Sequence, residues 1–319
     1  MFTLDYYLFV NMLKFCEKEH LFPLLLTCKR LKKITWIYLI DFLEINLSKI
    51  FVNNCTKGNL EVAKYLIQDS RVDPCYKNNR AICWTSENGH IEVVKLLLQD
   101  SRVDPSAQNN DPIRWASING HLEVVKLLLQ DSRVDPSAQN NLCIRRSSLG
   151  GHLEVVKLLL KDSRVDPSDQ NNSCIRTASV GGHLEVVKLL LSWRRHDNVD
   201  LTLPNQLLKD SRVDPSNQNN YSIRFSSEYG HAEIVKILLQ DSRVDPSDQN
   251  NHCIRFASYG HREIVKMLLQ DPRVDPSVQN NYPIRRASEN GYLEIVKLLL
   301  KDHRISEETK EIYRMKHNL

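Results

Sequence analysis

Asp100–Gln130 reads DSRVDPSAQNNDPIRWASINGHLEVVKLLLQ, and variants of this phrase recur down most of the 319-residue chain. Its turn glycine falls at Gly58, Gly89, Gly120, Gly151, Gly182, Gly230, Gly260 and Gly291, in steps of 31, 31, 31, 31, 48, 30 and 31 residues. A fixed period of this length marks a stack of supersecondary units, each resting on its neighbours. Such a chain grows along one axis, so its length does not imply several globular cores.

One unit shows what is stacked. In His121–Gln130 the polar residues Glu123, Lys126 and Gln130 share one narrow stripe, and the rest of Leu122–Leu129 is apolar. That helix needs cover on most of its circumference, which only neighbours on both sides provide. Asp111–Ile118 reads as a shorter first helix, with Asp111 as N-cap and Pro112 at the first helical position. Where Leu142, Tyr221 or His252 replaces Asp111, the preceding Asn141, Asn220 or Asn251 is the expected cap. Gly120 separates the helices, and all ten glycines lie in or beside this turn, which predicts positive φ there. Arg133-Val134-Asp135-Pro136 reads as an extended loop, because the residue before proline is pushed out of the helical region. The fold class is all-α: helix, tight turn, helix, extended loop, about eight times over.

The unit resembles an ankyrin repeat, whose T-P-L-H-x-A start appears here as D-P-I-R-W-A at Asp111–Ala116 and Y-P-I-R-R-A at Tyr282–Ala287. The family's G-H-L-E-V-V-K-L-L-L is matched at Gly120–Leu129, Gly151–Leu160 and Gly182–Leu191. The resemblance covers roughly residues 53–302, as eight units beginning at Asn53, Asn79, Asn110, Asn141, Asn172, Asn220, Asn251 and Asn281. Two departures stand out. The family's histidine is replaced by Arg114, Arg145, Arg176, Arg224, Arg255 and Arg285, which could bond loop carbonyls or the aspartates of RVDP. The loop is also shorter than the family's, so a projecting hairpin would be stunted. Near-identical RVDP-type units beside an F-box-like start resemble arrays of large DNA viruses of amoebae.

The irregular pieces fall at the ends and in one insertion. Residues 1–50 are rich in aromatics and contain no glycine. Leu21–Ile34, L-F-P-L-L-L-T-C-K-R-L-K-K-I, resembles the end of an F-box, although the usual Leu-Pro start is replaced by Thr3-Leu4-Asp5. That resemblance would place a cullin-ligase linker subunit on Leu21, Leu24, Leu25, Cys28 and Leu31; the alternative is a plain helical cap for the first repeat. Residues 192–208 form the insertion, read as a duplication scar or as a projecting loop carrying Trp193, Arg194 and Arg195. Residues 303–319 read as a polar capping helix that starts at the N-cap Ser306.

Several functions find no support. The net charge of +4 is too small for a dedicated nucleic-acid face. No run of 18 apolar residues exists to span a membrane, and no signal-peptide pattern opens the chain, so the expected location is intracellular, cytoplasmic or nuclear. Cys143, Cys174 and Cys253 share one phase of the repeat and read as reduced, half-buried side chains. The histidines His90, His121, His152, His183, His231 and His261 come once per unit and are not expected to converge on a metal. No nucleophile–histidine–carboxylate motif or phosphate loop is present, so no catalytic residue, cofactor or metal is assigned.

Specificity must then sit where units differ. One varying position holds Arg80, Asp111, Leu142, Ser173, Tyr221, His252 and Tyr282, and a second Trp84, Trp115, Arg146, Thr177, Phe225, Phe256 and Arg286. In ankyrin proteins the short helix lines the concave binding face, and tyrosine, tryptophan and arginine are favoured where binding energy concentrates. The expected partner-binding residues are Trp84, Trp115, Ile118, Tyr221, Phe225, Tyr229, Phe256, Tyr259 and Tyr282. Phe225 and its equivalents could instead serve only to pack unit against unit. The expected function is a protein–protein interaction scaffold, recruiting targets to a cullin-type ubiquitin ligase if the F-box resemblance holds and acting without one if it does not.

Overall fold

The computed structural model describes residues 46–193 and 212–319, so Leu21, Leu24, Leu25, Cys28 and Leu31 and most of the insertion lie outside the described residues. The described residues hold seventeen helices and no strand. The chain divides into two compact units, residues 1–107 and 108–319. The first contains the pairs α1 (Leu47–Thr56) with α2 (Leu60–Leu66) and α3 (Tyr76–Glu87) with α4 (Ile91–Leu98). The second runs from α5 (Ala107–Ile118) with α6 (Leu122–Leu128), through α7 (Ala138–Leu149) with α8 (Leu153–Leu159), to α9 (Asp169–Val180) with α10 (Leu184–Ser192). It continues with α11 (Asn217–Glu228) and α12 (Ala232–Leu238), α13 (Asp248–Ala257) and α14 (Arg262–Leu269), α15 (Val278–Glu289) and α16 (Leu293–Leu300), and ends at α17 (Glu307–His317). The first pair thus draws its first helix from Leu47, inside the segment that shows no repeat phrase.

The apolar second helices are covered as their composition demands. In α6, Val124, Val125 and Leu128 are buried, and in α8 so are Val155, Val156 and Leu159. Each such side chain contributes about 1.5–3 kcal/mol. The polar stripe stays outside, with Lys157 Nζ donating to Glu154 at 2.6 Å. The tight turn is left-handed at its glycine, as at Gly120 (φ 74°), and the next unit's histidine closes over it. His152 Nε2 lies 2.8 Å from the Ile118 carbonyl and His183 Nε2 2.8 Å from that of Leu149. Each histidine therefore ties its unit to the end of the preceding first helix.

The assigned first helices are not helical throughout. Every one from α3 to α15 has three consecutive residues at its second to fourth positions, usually Gln-Asn-Asn, with φ between 51° and 65°. Asparagine tolerates this left-handed region better than other residues with a Cβ. The second asparagine does not cap its own helix, contrary to the expectation for Asn141, Asn220 and Asn251. Its side-chain oxygen accepts a backbone N–H from the next RVDP loop: Asp166 on Asn141 at 2.8 Å, Asp245 on Asn220 at 2.8 Å, Asp275 on Asn251 at 2.6 Å. Asp111 likewise accepts from the Arg114 guanidinium instead of capping. The need for a left-handed turn and for an inter-unit acceptor explains the constant Asn-Asn pair better than capping does.

The loop letters also join units. Arg164 grips Asp162 through Nε and Nη2 at 2.9 and 2.7 Å and donates Nη1 to Val134 of the previous loop at 3.0 Å. Asp166 then accepts from the backbone and hydroxyl of Ser168, closing a local turn. Bonds of the same kinds cross the insertion: Asp214 N donates to Asn172 at 2.7 Å, and His231 meets the Val180 carbonyl at 2.9 Å. The repeats on either side of residues 194–211 are direct neighbours. At the end of the unit, Ser306 accepts from Thr309 N and caps α17, whose exposed side carries Ile312 and Met315 among its charges.

Candidate functional site

The first helices bury one side and present the other with helical periodicity. In α11, Ser222, Ile223, Ser226 and Ser227 are fully buried, leaving Tyr221, Arg224, Phe225 and Glu228 half-buried on the opposite side and Tyr229 exposed. In α13, Cys253, Ile254, Ala257 and Ser258 are buried, and His252, Arg255, Phe256 and Tyr259 share the outer side.

These outer residues meet across helices. The rings of Tyr221 and Phe225 lie 4.2 Å apart, Phe225 and Tyr229 6.3 Å, and Phe225 and His252 5.7 Å. His252 stacks on Phe256 at 4.2 Å, Phe256 on Tyr259 at 6.1 Å, and the hydroxyls of Tyr259 and Tyr282 are 2.9 Å apart. Six of the nine expected residues thus form one continuous aromatic face. Phe225 does pack towards the next repeat, through His252, and still remains half-exposed. Trp115 and Ile118 lie on α5 in the same unit, half-buried, with Arg114 5.1 Å from the Trp115 ring. Trp84 belongs to the other compact unit, where Arg80 stacks on it at 4.1 Å.

His252 and the arginines between the rings were named in the sequence but not among the expected binding residues. Arg176 lies 5.1 Å from the Tyr221 ring centre, Arg224 5.4 Å from Phe225, and Arg255 5.4 Å from Phe256 and 5.7 Å from Tyr282. Arg285 and Arg286 lie 5.5 and 5.1 Å from Tyr282. The repeat phase, which puts His252 level with Tyr221 and Tyr282, and its i, i+4 spacing to Phe256 were the available signals. Of the two roles open to the helix arginines, bonding loop carbonyls is the one observed. Arg176 donates to Asn171 and Gln170 carbonyls at 2.9 and 3.2 Å, and Arg224 to those of Asn219 and Gln218 at 2.7 and 3.4 Å.

The electrostatics of the face are positive. Burial, then Arg224 and Arg255, push the His252 imidazole down to about 4, although the Glu228 carboxylate stands 3.6 Å away. Burial holds Arg176 below its usual value, and Arg145 adds to the effect. The Tyr282 hydroxyl is made more acidic by the hydrogen bond with Tyr259 and by Arg286 and Arg255, while the same bond makes Tyr259 less acidic.

The cysteines are more deeply placed than expected. Cys143, Cys174 and Cys253 are fully buried, and burial pushes each thiol up to about 12. Among the described residues no three of His, Cys, Asp and Glu are placed to hold a metal ion, and no helix is long and apolar enough to cross a membrane.

A family model of ankyrin repeats, in three copies, matches residues 50–140 and again 223–310, more than half of the chain. The chain belongs to the ankyrin-repeat family. A comparison with curated proteins returned no match. Ankyrin repeats are protein–protein interaction modules, and here the short first helices carry the aromatic and arginine side chains that vary from repeat to repeat.

Proposed function

We propose that this ankyrin protein is a non-enzymatic scaffold whose protein partner seats on the first-helix face between α9 and α15. The observation that carries this reading is the single aromatic face formed by Tyr221, Phe225, Tyr229, Phe256, Tyr259 and Tyr282. Rings held against one another lose little freedom on binding and offer large contact area, the usual make-up of an interface hot spot. A partner captured by a photoreactive group at Tyr229 should bind the Tyr221→Ala/Phe225→Ala/Tyr259→Ala variant about thirtyfold or more weaker. Unchanged affinity of that partner would reject the face.

Within this reading the N-terminal segment supplies a coupling function. Leu21, Leu24, Leu25, Cys28 and Leu31 dock the linker subunit of a cullin-type ubiquitin ligase, and the repeats select the target. The support is the F-box-like sequence of Leu21–Ile34. A full-length chain that fails to retain the linker subunit in a pull-down removes the ligase role and leaves an ankyrin scaffold with no ubiquitin link.

A further inference from the structure

Among the described residues two arginine ladders run through the repeats, and only one is neutralised throughout. The loop arginines Arg71, Arg102, Arg133, Arg164, Arg243, Arg273 and Arg304 each grip the aspartate two residues earlier at 2.6–2.8 Å. The helix arginines do otherwise. Arg114 pairs with Asp111 three residues before it, but the same position holds Leu142, Ser173, Tyr221, His252 and Tyr282 in the later units. Among the described residues, Arg145, Arg176, Arg224, Arg255 and Arg285 have no carboxylate within ion-pair distance. Their bonds go to neutral acceptors, such as Asn140 from Arg145 and Gln249 from Arg255. The nearby acids are otherwise placed: Glu228 beside His252, Glu289 on Arg286, and Asp169 and Asp248 on the amides of Asn141 and Asn220. The left-handed turns therefore hold the uncompensated guanidinia of Arg145, Arg176, Arg224 and Arg255, and that of Arg285 lies 5.5 Å from the Tyr282 ring. A guanidinium has five N–H donors, so two carbonyl bonds leave donors to spare.

We infer that this face receives an extended acidic segment of a partner protein, whose carboxylates seat on Arg145, Arg176, Arg224, Arg255 and Arg285. The inference rests on the proposed binding face and names the chemistry of what occupies it. Packed helices lie about 8–10 Å apart, and an extended chain rises about 3.3 Å per residue, so acidic side chains at about every third position match the ladder. Side chains between them meet Tyr221, Phe225, Phe256 and Tyr259. A single-stranded nucleic acid fits less well. It needs ring faces for its bases, and these rings already have another ring or a guanidinium at 4.2–6.3 Å.

The test uses the full chain and fluorescent synthetic peptides of about 15 residues, long enough to span the ladder. One has glutamate at every third position with serine and leucine between; its control has glutamine in place of glutamate. An oligothymidylate of similar length is the third probe. The glutamate peptide should bind at least about tenfold tighter than the glutamine peptide, and more weakly as salt rises. The variant Leu142→Asp/Ser173→Asp places a carboxylate three residues before Arg145 and Arg176, the arrangement that Asp111 and Arg114 already show the fold accepts. It should melt like the wild type and bind the glutamate peptide about tenfold weaker. Equal binding of both peptides, an unaltered affinity of the double variant, or tighter binding of oligothymidylate overturns the inference. If the peptides fail while the photocaptured partner still depends on Tyr221, Phe225 and Tyr259, the binding face stands and only its acidic occupant is lost.

Discussion

Asn141→Asp separates the two roles that a constant asparagine can have in this repeat. Were Asn141 an N-cap, aspartate would serve nearly as well, since the two rank together at that position. In the structure its side-chain oxygen takes the Asp166 N–H at 2.8 Å, and its amide nitrogen donates to the Asp169 carboxylate at 2.9 Å. Aspartate keeps the first bond and turns the second into two carboxylates at contact distance. Asn141 is 7% exposed, so water relieves little of this. The repulsion is bounded by the work of protonating one carboxyl at pH 7, about 4 kcal/mol. Loss of the donor and partial relaxation of Asp169 bring the expected cost to about 2–3 kcal/mol. The same change at Asn110 should cost under about 1 kcal/mol, because Ala138 stands where Asp169 does. Asp169→Ala should rescue Asn141→Asp. Urea unfolding followed by far-UV circular dichroism gives the midpoints. Hydrogen exchange at the Asp166 amide adds a local readout, since unfolding of a repeat stack need not be two-state. Equal, small effects of Asn141→Asp and Asn110→Asp would refute the inter-unit staple and restore the capping role.

Three further outcomes follow from the geometry. Gly120→Ala should destabilise by about 2–4 kcal/mol, from a left-handed alanine plus a Cβ 2.5 Å from His152 Nδ1; Gly291→Ala, with nothing within 4 Å of its Cβ, should cost only about 1 kcal/mol in the same melts. His252 is held neutral in the folded chain down to about 4, against an ordinary value near 6.5. The unfolded chain therefore binds the extra proton first, and stability falls as pH drops from about 6.5 to 4. His252→Phe should flatten that part of the stability–pH curve, and an unaltered slope would discount the imidazole. Cys143, Cys174 and Cys253, with thiols pushed up to about 12 by burial, should resist iodoacetamide at pH 8 until denaturant is added, as peptide mass mapping would show.

The fold was readable in the letters that repeat, because stacking imposes the same demand on every unit. Val124, Val125 and Leu128 had to be covered, and Gly120 had to turn. The misreading of Asn141 has a local cause. Asparagine before a helix is compatible with a cap, and the bond that decides otherwise comes from Asp166, 25 residues away in the next loop. No window of one repeat contains that partner. The loop arginines were passed over for the same reason: the bond from Arg164 to Val134 spans 30 residues.

The aromatic face was readable for a different reason. Tyr221, Phe225 and Tyr229 are spaced by four, and Tyr221, His252 and Tyr282 by one repeat, so helix and repeat periods together lay them on one surface. What the letters hid was charge. Arg114 and Arg145 occupy the same phase, yet one is neutralised and the other is not, and the difference lies at Asp111 against Leu142. Stacking needs the guanidinium only as a donor to the left-handed turn, a task that leaves its charge unbalanced. At Arg176 burial and the neighbouring Arg145 both work against the charge, and only Tyr221 favours it, so leaving it without a carboxylate is not a device for stability. That charge therefore makes most sense as affinity for an anion supplied from outside.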